Sequence, residues 1–253
     1  MTGTPLLSLI VITKDEEDCI GRCIGSVPCA DEIIVIDSGS RDRTVAIAQS
    51  LGAKVTVTPD WPGFGPQKAR ALALANGQWV LSLDADEWLD PSAIAPLQAA
   101  MADATPPAAY RLSRRSRFCG TVINHSGWSP DYVTRLVRRG KGRFSDDLVH
   151  ERLIVDGEVR TVPFRIEHDS ITSRADAEDK IVRYSSAAAA QMFARGRRAS
   201  AVQASLHGWA AFIKTFVLRA GFLDGAAGWD VADYNRRYAA EKWRRLAALS
   251  RRA

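Results

Sequence analysis

The sequence predicts an α/β protein: a mixed, mainly parallel sheet flanked by helices, followed by a helical C-terminal extension. Three observations carry this. Short β-branched runs alternate with helical segments through residue 104, the pattern of parallel strands joined by right-handed crossovers. Three of those runs end in polar clusters, Thr13-Lys14-Asp15-Glu16, Asp37-Ser38-Gly39-Ser40 and Asp84-Ala85-Asp86-Glu87. Beyond Ser170 the pattern is helical to the end of the sequence.

Leu6–Thr13 (LLSLIVIT) is a continuous apolar run, as in a strand buried on both faces. A helix over Glu16–Val27 follows, with acids in its first turn where the helix dipole favours them. Glu32–Asp37 is a second buried strand. Ser40 is the expected N-cap of a helix to Leu51, and Gly52 its stop. Lys54–Thr58 is a third strand and Asp60–Pro66 a loop. Trp61, Gly63, Phe64 and Gly65 give that loop an apolar, pliable character, which suits either closure over a ligand or simple surface packing. Gln67–Ala75 is helical, Trp79–Leu83 is the fourth strand, and Asp90-Pro91 restarts a helix with Asp as cap and Pro at its first position.

From about Ala108 the pattern changes. Tyr110–Phe118 and Tyr132–Arg138 read as strands with Arg on one face. Leu148–Val162 reads as a hairpin around Asp156-Gly157. Helices are expected over 173–196, 200–221 and 228–249. The predicted organisation is a catalytic domain over 1–170, with a nucleotide-binding half at 1–104 and an acceptor half at 105–170, then a basic helical extension over 171–253.

The net charge of +5 is unevenly shared. Residues 1–100 carry 7 Lys and Arg against 13 Asp and Glu, a net of −6, which leaves +11 for residues 101–253. The basic half suits anionic partners. Cys19, Cys23, Cys29 and Cys119 lack metal-site spacing and read as small buried thiols of a reducing cytosol. The opening residues show no secretory leader, and no run is long enough to span a bilayer.

In parallel sheets ligands bind beyond the carboxyl ends of the strands, so the three polar clusters should share one edge. "VLSLDADEWLD" (Val80–Asp90) drives an apolar strand into Asp84, Asp86 and Glu87. Their mutual repulsion becomes tolerable if a hard divalent cation and substrate phosphates complete the site. The competing reading is a solvated acidic turn. Glu87 fits either support of the pair or helix-start charge. Asp37 fits a nucleoside contact or a turn closed on its own backbone.

"SLIVITKDEE", "EIIVIDSGSRDRT", "GFGPQKARALALANGQWVLSLDADE" and "DDLVHERLIVDGE" resemble, in order and spacing, glycosyltransferase family 2, the inverting enzymes of GT-A fold. Within it the chain looks most like the lipopolysaccharide-core β-1,4-glucosyltransferase group, whose C-terminal segment "LRAGFLDG" also resembles. The resemblance implies a Rossmann-like nucleotide-sugar fold, a UDP-sugar donor, and Mg²⁺ or Mn²⁺ on Asp86 with Asp84. It implies donor contacts from Thr13, Lys14, Glu16, Asp37, Ser38, Lys68 and Asp84. Lys68 reads equally as a solvated helix lysine. Ala69 departs from the Asn common in the family and leaves the donor's identity open.

An inverting transfer needs a base for the acceptor hydroxyl. Val-His-Glu falls where the family carries its acceptor-side acid, which implies Glu151, with Asp147 as the second candidate. His150, Asp131 and Arg135 are the expected acceptor-side residues, although Arg135 equally suits a strand-surface charge. The expected acceptor is a lipopolysaccharide-core or other lipid-linked saccharide. Glucose is the sugar suggested by the resemblance.

Val202, Leu206, Trp209, Ile213, Phe216 and Val217 recur at helical spacing, by default a core-facing stripe. The basic segment "RRYAAEKWRRLAALSRRA" suits an interfacial helix on anionic lipid. A peripheral position on the cytoplasmic face of the inner membrane is therefore expected. Two other functions compete: transfer to a polyprenyl phosphate or a nucleotidyltransferase reaction on the same fold, and a non-enzymatic binder of anionic lipid or nucleic acid. No nucleic-acid recognition motif supports the last, and nucleic acid is not an expected partner.

Overall fold

The computed structural model describes residues 6–145 and 151–252. The predicted candidates Asp147 and His150 therefore lie outside the described residues. The chain divides into two compact units. The first runs to Arg114 and resumes over Tyr132–His168; the second comprises Arg115–Asp131 and all residues from Asp169. Residues 115–131 thus group with the C-terminal helices, although they fall inside the half expected at 105–170.

In the first unit the elements are β1 (Leu7–Thr13), α1 (Ile20–Gly25), β2 (Glu32–Asp37), α2 (Thr44–Ser50), β3 (Lys54–Val57), α3 (Phe64–Leu74), β4 (Trp79–Asp84), β5 (Glu87–Leu89) and α4 (Ile94–Met101). The later strands are β6 (Ala109–Phe118), β7 (Thr121–Val122), β8 (Asp131–Arg138), β9 (Gly142–Phe144), β10 (Leu153–Val155) and β11 (Val159–Ile171), of which β7 lies in the second unit. The main sheet has the order β3-β2-β1-β4-β8-β6-β11-β5. Strands β1 to β4 are parallel, whereas β8 joins β4 antiparallel and β11 joins β5 antiparallel.

Every residue of β1 is buried, as an apolar run covered on both faces must be. Leu7, Leu9 and Val11 pack with Ile20, Ile24 and Leu97 on one face. Ile10 and Ile12 pack with Ala71 and Ala75 on the other. The parallel register pairs Thr13 with Asp37 and Ile12 with Asp84. The three polar strand ends therefore share one edge.

Glu32 fastens the opposite edge. It is 7% exposed, and its carboxylate accepts bonds from Ser8 Oγ at 2.7 Å, Asn76 N at 2.9 Å, Asn76 Nδ2 at 2.9 Å and Lys54 Nζ at 3.0 Å. Ser8 Oγ in turn accepts the Gly77 N–H at 2.8 Å. A Cβ on Gly77 would lie 2.6 Å from Ser8 N, so only glycine lets the chain enter β4 this close to β1.

Two local expectations fail for identifiable reasons. Asp156-Gly157 does not close a hairpin: β10 pairs with β9, and β11 pairs with β5. The long β11 finds better partners in the main sheet than in three-residue β10. Ser40 does not start α2. Asp42 Oδ1 accepts the Thr44 N–H at 2.9 Å, while Ser40 turns back to Asp37 and accepts the Asp15 N–H at 2.8 Å.

The second unit contains α5 (Arg174–Ala194), α6 (Ala201–Ile213) and α7 (Gly225–Arg252), with a π-helical turn at Lys214–Leu218 and a 3-10 turn at Gly221–Asp224 between the last two. Ser173 caps α5 by accepting the Asp176 N–H. Asp224 accepts bonds from Asn124 N, His125 N and Ser126 Oγ, which ties the 115–131 segment to these helices. Of the cysteines, Cys23 is buried, Cys19 and Cys29 are half-buried and Cys119 is exposed, on a turn with φ of 47°, so the expectation of four buried thiols holds in full only at Cys23.

Burial alone would raise the Glu32 carboxyl, but the bonds from Asn76, Ser8 and Lys54 lower it from 4.5 to about 2. A depressed folded value stabilises above the unfolded value and is lost as pH falls through the folded one. Glu32→Gln should lower stability at neutral pH and flatten its decline between pH 4.5 and about 2. Urea titrations across that range check this; an unchanged acid limb refutes it.

Candidate active site

The carboxyl edge of β4 is a buried charge network. Asp84 Oδ1 lies 2.6 Å from Lys68 Nζ, and Asp84 Oδ2 lies 2.5 Å from Arg135 Nη2. Arg135 Nη2 also donates to Glu87 Oε1 at 2.7 Å, and Arg114 Nη1 donates to the same oxygen at 3.0 Å. Lys68 Nζ donates to Glu151 Oε1 at 2.5 Å. Three acids that the sequence crowds together or brings from afar are thus held by three cations from α3, β6 and β8.

Topology explains each arrival. Strand β8 pairs Leu136 with Leu81, which carries Arg135 toward the end of β4. Strand β11 pairs His168 with Glu87, which brings His168 Nε2 to 3.4 Å from Asp86 Oδ2. Helix α3 lies on the β1–β2 side of the sheet and aims Lys68 inward; its residue is 1% exposed.

Burial by itself would raise the Asp84 carboxyl. Arg135 and Lys68 overcome this and hold it well below the usual carboxylate range. Burial would lower the Arg135 guanidinium, but Asp84, Glu87 and Glu151 raise it. Burial, with Glu87, Asp86 and Asp84 nearby, pushes the Cys23 thiol well up. Cys23 donates to the Asp84 carbonyl at 3.4 Å.

Several predicted roles change. Lys68 is not a solvated helix lysine, and Arg135 is not a strand-surface charge; both are buried counter-ions. Glu87 is fully buried and accepts the Asp84 N–H at 3.0 Å, so it shapes the turn and does not open a helix. Asp84 already has a cation on each oxygen, so its carboxylate is committed to the network. Asp37 accepts the Gly39 and Ser40 N–H groups at 2.9 Å and the Ser40 hydroxyl, so its carboxylate closes its own turn, with Gly39 at φ 83°.

Thr13 and Ser38 are buried on the same edge. Ser38 N donates to Thr13 O at 2.9 Å, and Ser38 Oγ accepts from Gln67 Nε2 at 2.9 Å. Thr13 Oγ1 is buried with no hydrogen-bond partner among the described residues. Such an orphan is costly unless a ligand completes it. Lys14 is exposed and Glu16 half-buried, with the Glu16 N–H donating to Thr44 Oγ1 at 2.7 Å. Asp131 is half-buried and belongs to the second unit. Trp61 packs edge-on against Phe64 at 4.9 Å and is 45% exposed, at the entry to α3.

Sequence reasoning missed His168 and Arg114. Both are distant in sequence from the acidic turn, and only the antiparallel half of the sheet delivers them. The strand of Arg114 was legible, but the expected hairpin stopped at Val162, short of His168 on β11, and the pairing of β11 with β5 was not foreseen.

Residues 8–168 match the family model for glycosyl transferase family 2. The chain belongs to glycosyltransferase family 2. Its sheet is that of the GT-A fold. Lipopolysaccharide core biosynthesis glycosyltransferase LpsC of Rhizobium meliloti is 34% identical over 163 residues, 60% of this chain and 58% of that protein. An uncharacterized glycosyltransferase of Rickettsia prowazekii is 29% identical over 234 residues, 88% of this chain and 80% of that protein. The chain therefore spans little more than half the length of LpsC. Among solved structures, glucosyl-3-phosphoglycerate synthase from Mycobacterium tuberculosis in complex with Mn²⁺, UDP and glucosyl-3-phosphoglycerate is 28% identical with a TM-score of 0.37, over 45% of this chain and 44% of that one.

Arg135→Met should leave Glu87 with Arg114 alone and Asp84 with Lys68 alone. Stripping one partner from a buried charge costs about 3–5 kcal/mol. Because Asp84 is then less depressed, acid unfolding should begin at higher pH. Urea denaturation at neutral and acid pH measures both; a loss under about 1 kcal/mol would mean that Arg135 behaves as a surface charge.

Proposed function

We propose that the protein is an inverting glycosyltransferase that moves a sugar from a UDP-sugar donor to a hydroxyl of a lipopolysaccharide-core or other lipid-linked saccharide. The observation that carries this reading is the contact of one buried ammonium, Lys68, with both Asp84 and Glu151. It joins the strand-end acids, where a nucleotide-sugar binds in such sheets, to the acid from the Val-His-Glu segment. The similarity to LpsC supports the class of acceptor, and glucose remains the sugar suggested by the family group.

In this reading the unpartnered Thr13 hydroxyl meets the nucleoside, beside the turn closed by Asp37 and Ser38. Asp86 and His168 fit a divalent ion. Two ligands of one octahedral ion lie roughly 3 Å apart, and their carboxylate oxygen and imidazole nitrogen are separated by 3.4 Å. Bound Mg²⁺ or Mn²⁺ supplies charge neutralisation at the departing diphosphate. Glu151 takes the proton of the acceptor hydroxyl as that oxygen attacks the anomeric carbon. Lys68 orients Glu151 through Oε1, and Asp84, locked by Lys68 and Arg135, keeps that ammonium in place.

UDP-sugar should raise the melting temperature only with Mn²⁺ or Mg²⁺, and Asp86→Ala or His168→Ala should abolish the shift. An equal shift in chelator removes the metal from the model. Glu151→Gln should retain that metal-dependent shift while losing about 100-fold or more in transfer. Turnover retained near the wild-type rate would move the base elsewhere, with Asp147 next.

A further inference from the structure

Helix α6 has its polarity inverted. Its inner face carries Ala204, 5% exposed, and Gly208, where a Cβ would lie 3.1 Å from both Ala240 Cβ and Arg236 O of α7. On the opposite face stand Val202, Leu206, Trp209, Ile213 and, in the π-helical turn, Val217. Their spacing is that of a single helical stripe, and each is more than half exposed. An outward helix face in water is ordinarily polar. This expected core stripe is therefore not core.

The apolar surface continues beyond the helix. Leu218, Phe222, Leu223 and Trp229 are also more than half exposed. Ring contacts run without a break from Trp209 to Phe212 at 5.8 Å, from Phe212 to Trp229 at 5.0 Å, and from Trp229 through Phe216 to Phe222 at 5.4 and 6.3 Å. Contiguity of this kind separates an interaction surface from scattered exposed side chains.

Cations border it. Lys214, Arg219 and Lys242 line a cleft of about 400 Å³ together with Trp128 and Tyr238, and none of its lining residues is acidic. Among the described residues none of the three cations is in an ion pair. Burial, together with Arg197, lowers the Lys242 ammonium, as expected of a cation without a counter-charge. Arg236 lies over the Trp209 ring at 5.4 Å.

We propose that this face seats the protein on an anionic lipid bilayer. The α6 stripe enters the interface, Trp209 and Trp229 sit at headgroup depth, and Lys214, Arg219 and Lys242 meet lipid phosphates. A second copy of the chain fits less well, because a two-fold contact would bring the same uncompensated cations together. The inference deepens the reading of a lipid-borne acceptor and in that sense rests on it, but it requires neither donor nor metal.

Flotation with vesicles of phosphatidylcholine, with and without phosphatidylglycerol, tests it on the full chain. Binding should require phosphatidylglycerol and weaken with salt. Ile213→Glu should lower vesicle affinity about tenfold or more, and Lys214→Gln with Lys242→Gln should remove most of the phosphatidylglycerol dependence. Melting temperature and the UDP-sugar shift should not change in either variant. Ile213→Glu floating like the wild type would overturn the proposal. So would absence of flotation together with a dimer by light scattering that Ile213→Glu dissociates. Vesicle binding in a protein that shows no UDP-sugar shift would leave this surface standing and refute the donor site alone.

Discussion

The ammonium of Lys68 is the constraint on which the candidate site depends. It is nearly inaccessible to water and touches two carboxylates, Asp84 at the end of β4 and Glu151, which lies 83 residues beyond Lys68 in the sequence. A buried lysine without acids, or these buried acids without a cation, would be strongly destabilising. Each therefore fixes the others. Arg135 and Arg114 extend the same logic to Glu87. The repulsion of the acidic turn is answered first by three built-in cations. Asp86 lies beside His168, where the proposed reading puts the metal.

That arrangement is a product of the mixed sheet. Parallel strands set Thr13, Asp37 and Asp84 on one edge by register alone. The antiparallel additions then bring basic and imidazole side chains to it: Arg135 by way of β8, Arg114 from β6, and His168 opposite Glu87 on β11. The parallel half supplies Asp84 and Lys68, and the antiparallel half supplies Arg135, Arg114 and His168. Glu32 closes the other edge with the same economy, since one carboxylate joins β1, β2 and the turn into β4.

Much of the first unit was legible in the sequence. Buried parallel strands announce themselves as β-branched runs, and β1, β2, β3 and β4 fall within one residue of expectation at either end. The edge shared by their polar ends follows from the same pattern. What was not legible depends on pairing. A favourable turn dipeptide at Asp156-Gly157 cannot reveal that β10 prefers β9 and β11 prefers β5. Lys68 and Arg135 illustrate the same limit for side chains. Local periodicity gives a charged residue on a helix or strand, and only the position of its counter-ions decides whether it is solvated or buried. Asp37 was ambiguous for a different reason. An Asp before Ser-Gly-Ser satisfies its own turn with the same oxygens that would hold a ligand, and here the turn has taken them.

Helix α6 shows why a hydrophobic stripe is not itself evidence of a core. Periodicity fixes which residues share a face but not whether that face is dry. Here the dry face is made of small residues, Ala204 and Gly208, which bring α6 and α7 close together. Small residues carry little hydrophobicity, so the helix earns its packing through proximity, and the large side chains are left on the outside. In a bundle held together by bulky side chains the stripe would face inward. The exchange of small residues inside for large ones outside is the arrangement expected of a helix whose apolar face serves a surface other than its own bundle. The uncompensated Lys214, Arg219 and Lys242 beside it make this face positive and suit it to an anionic surface.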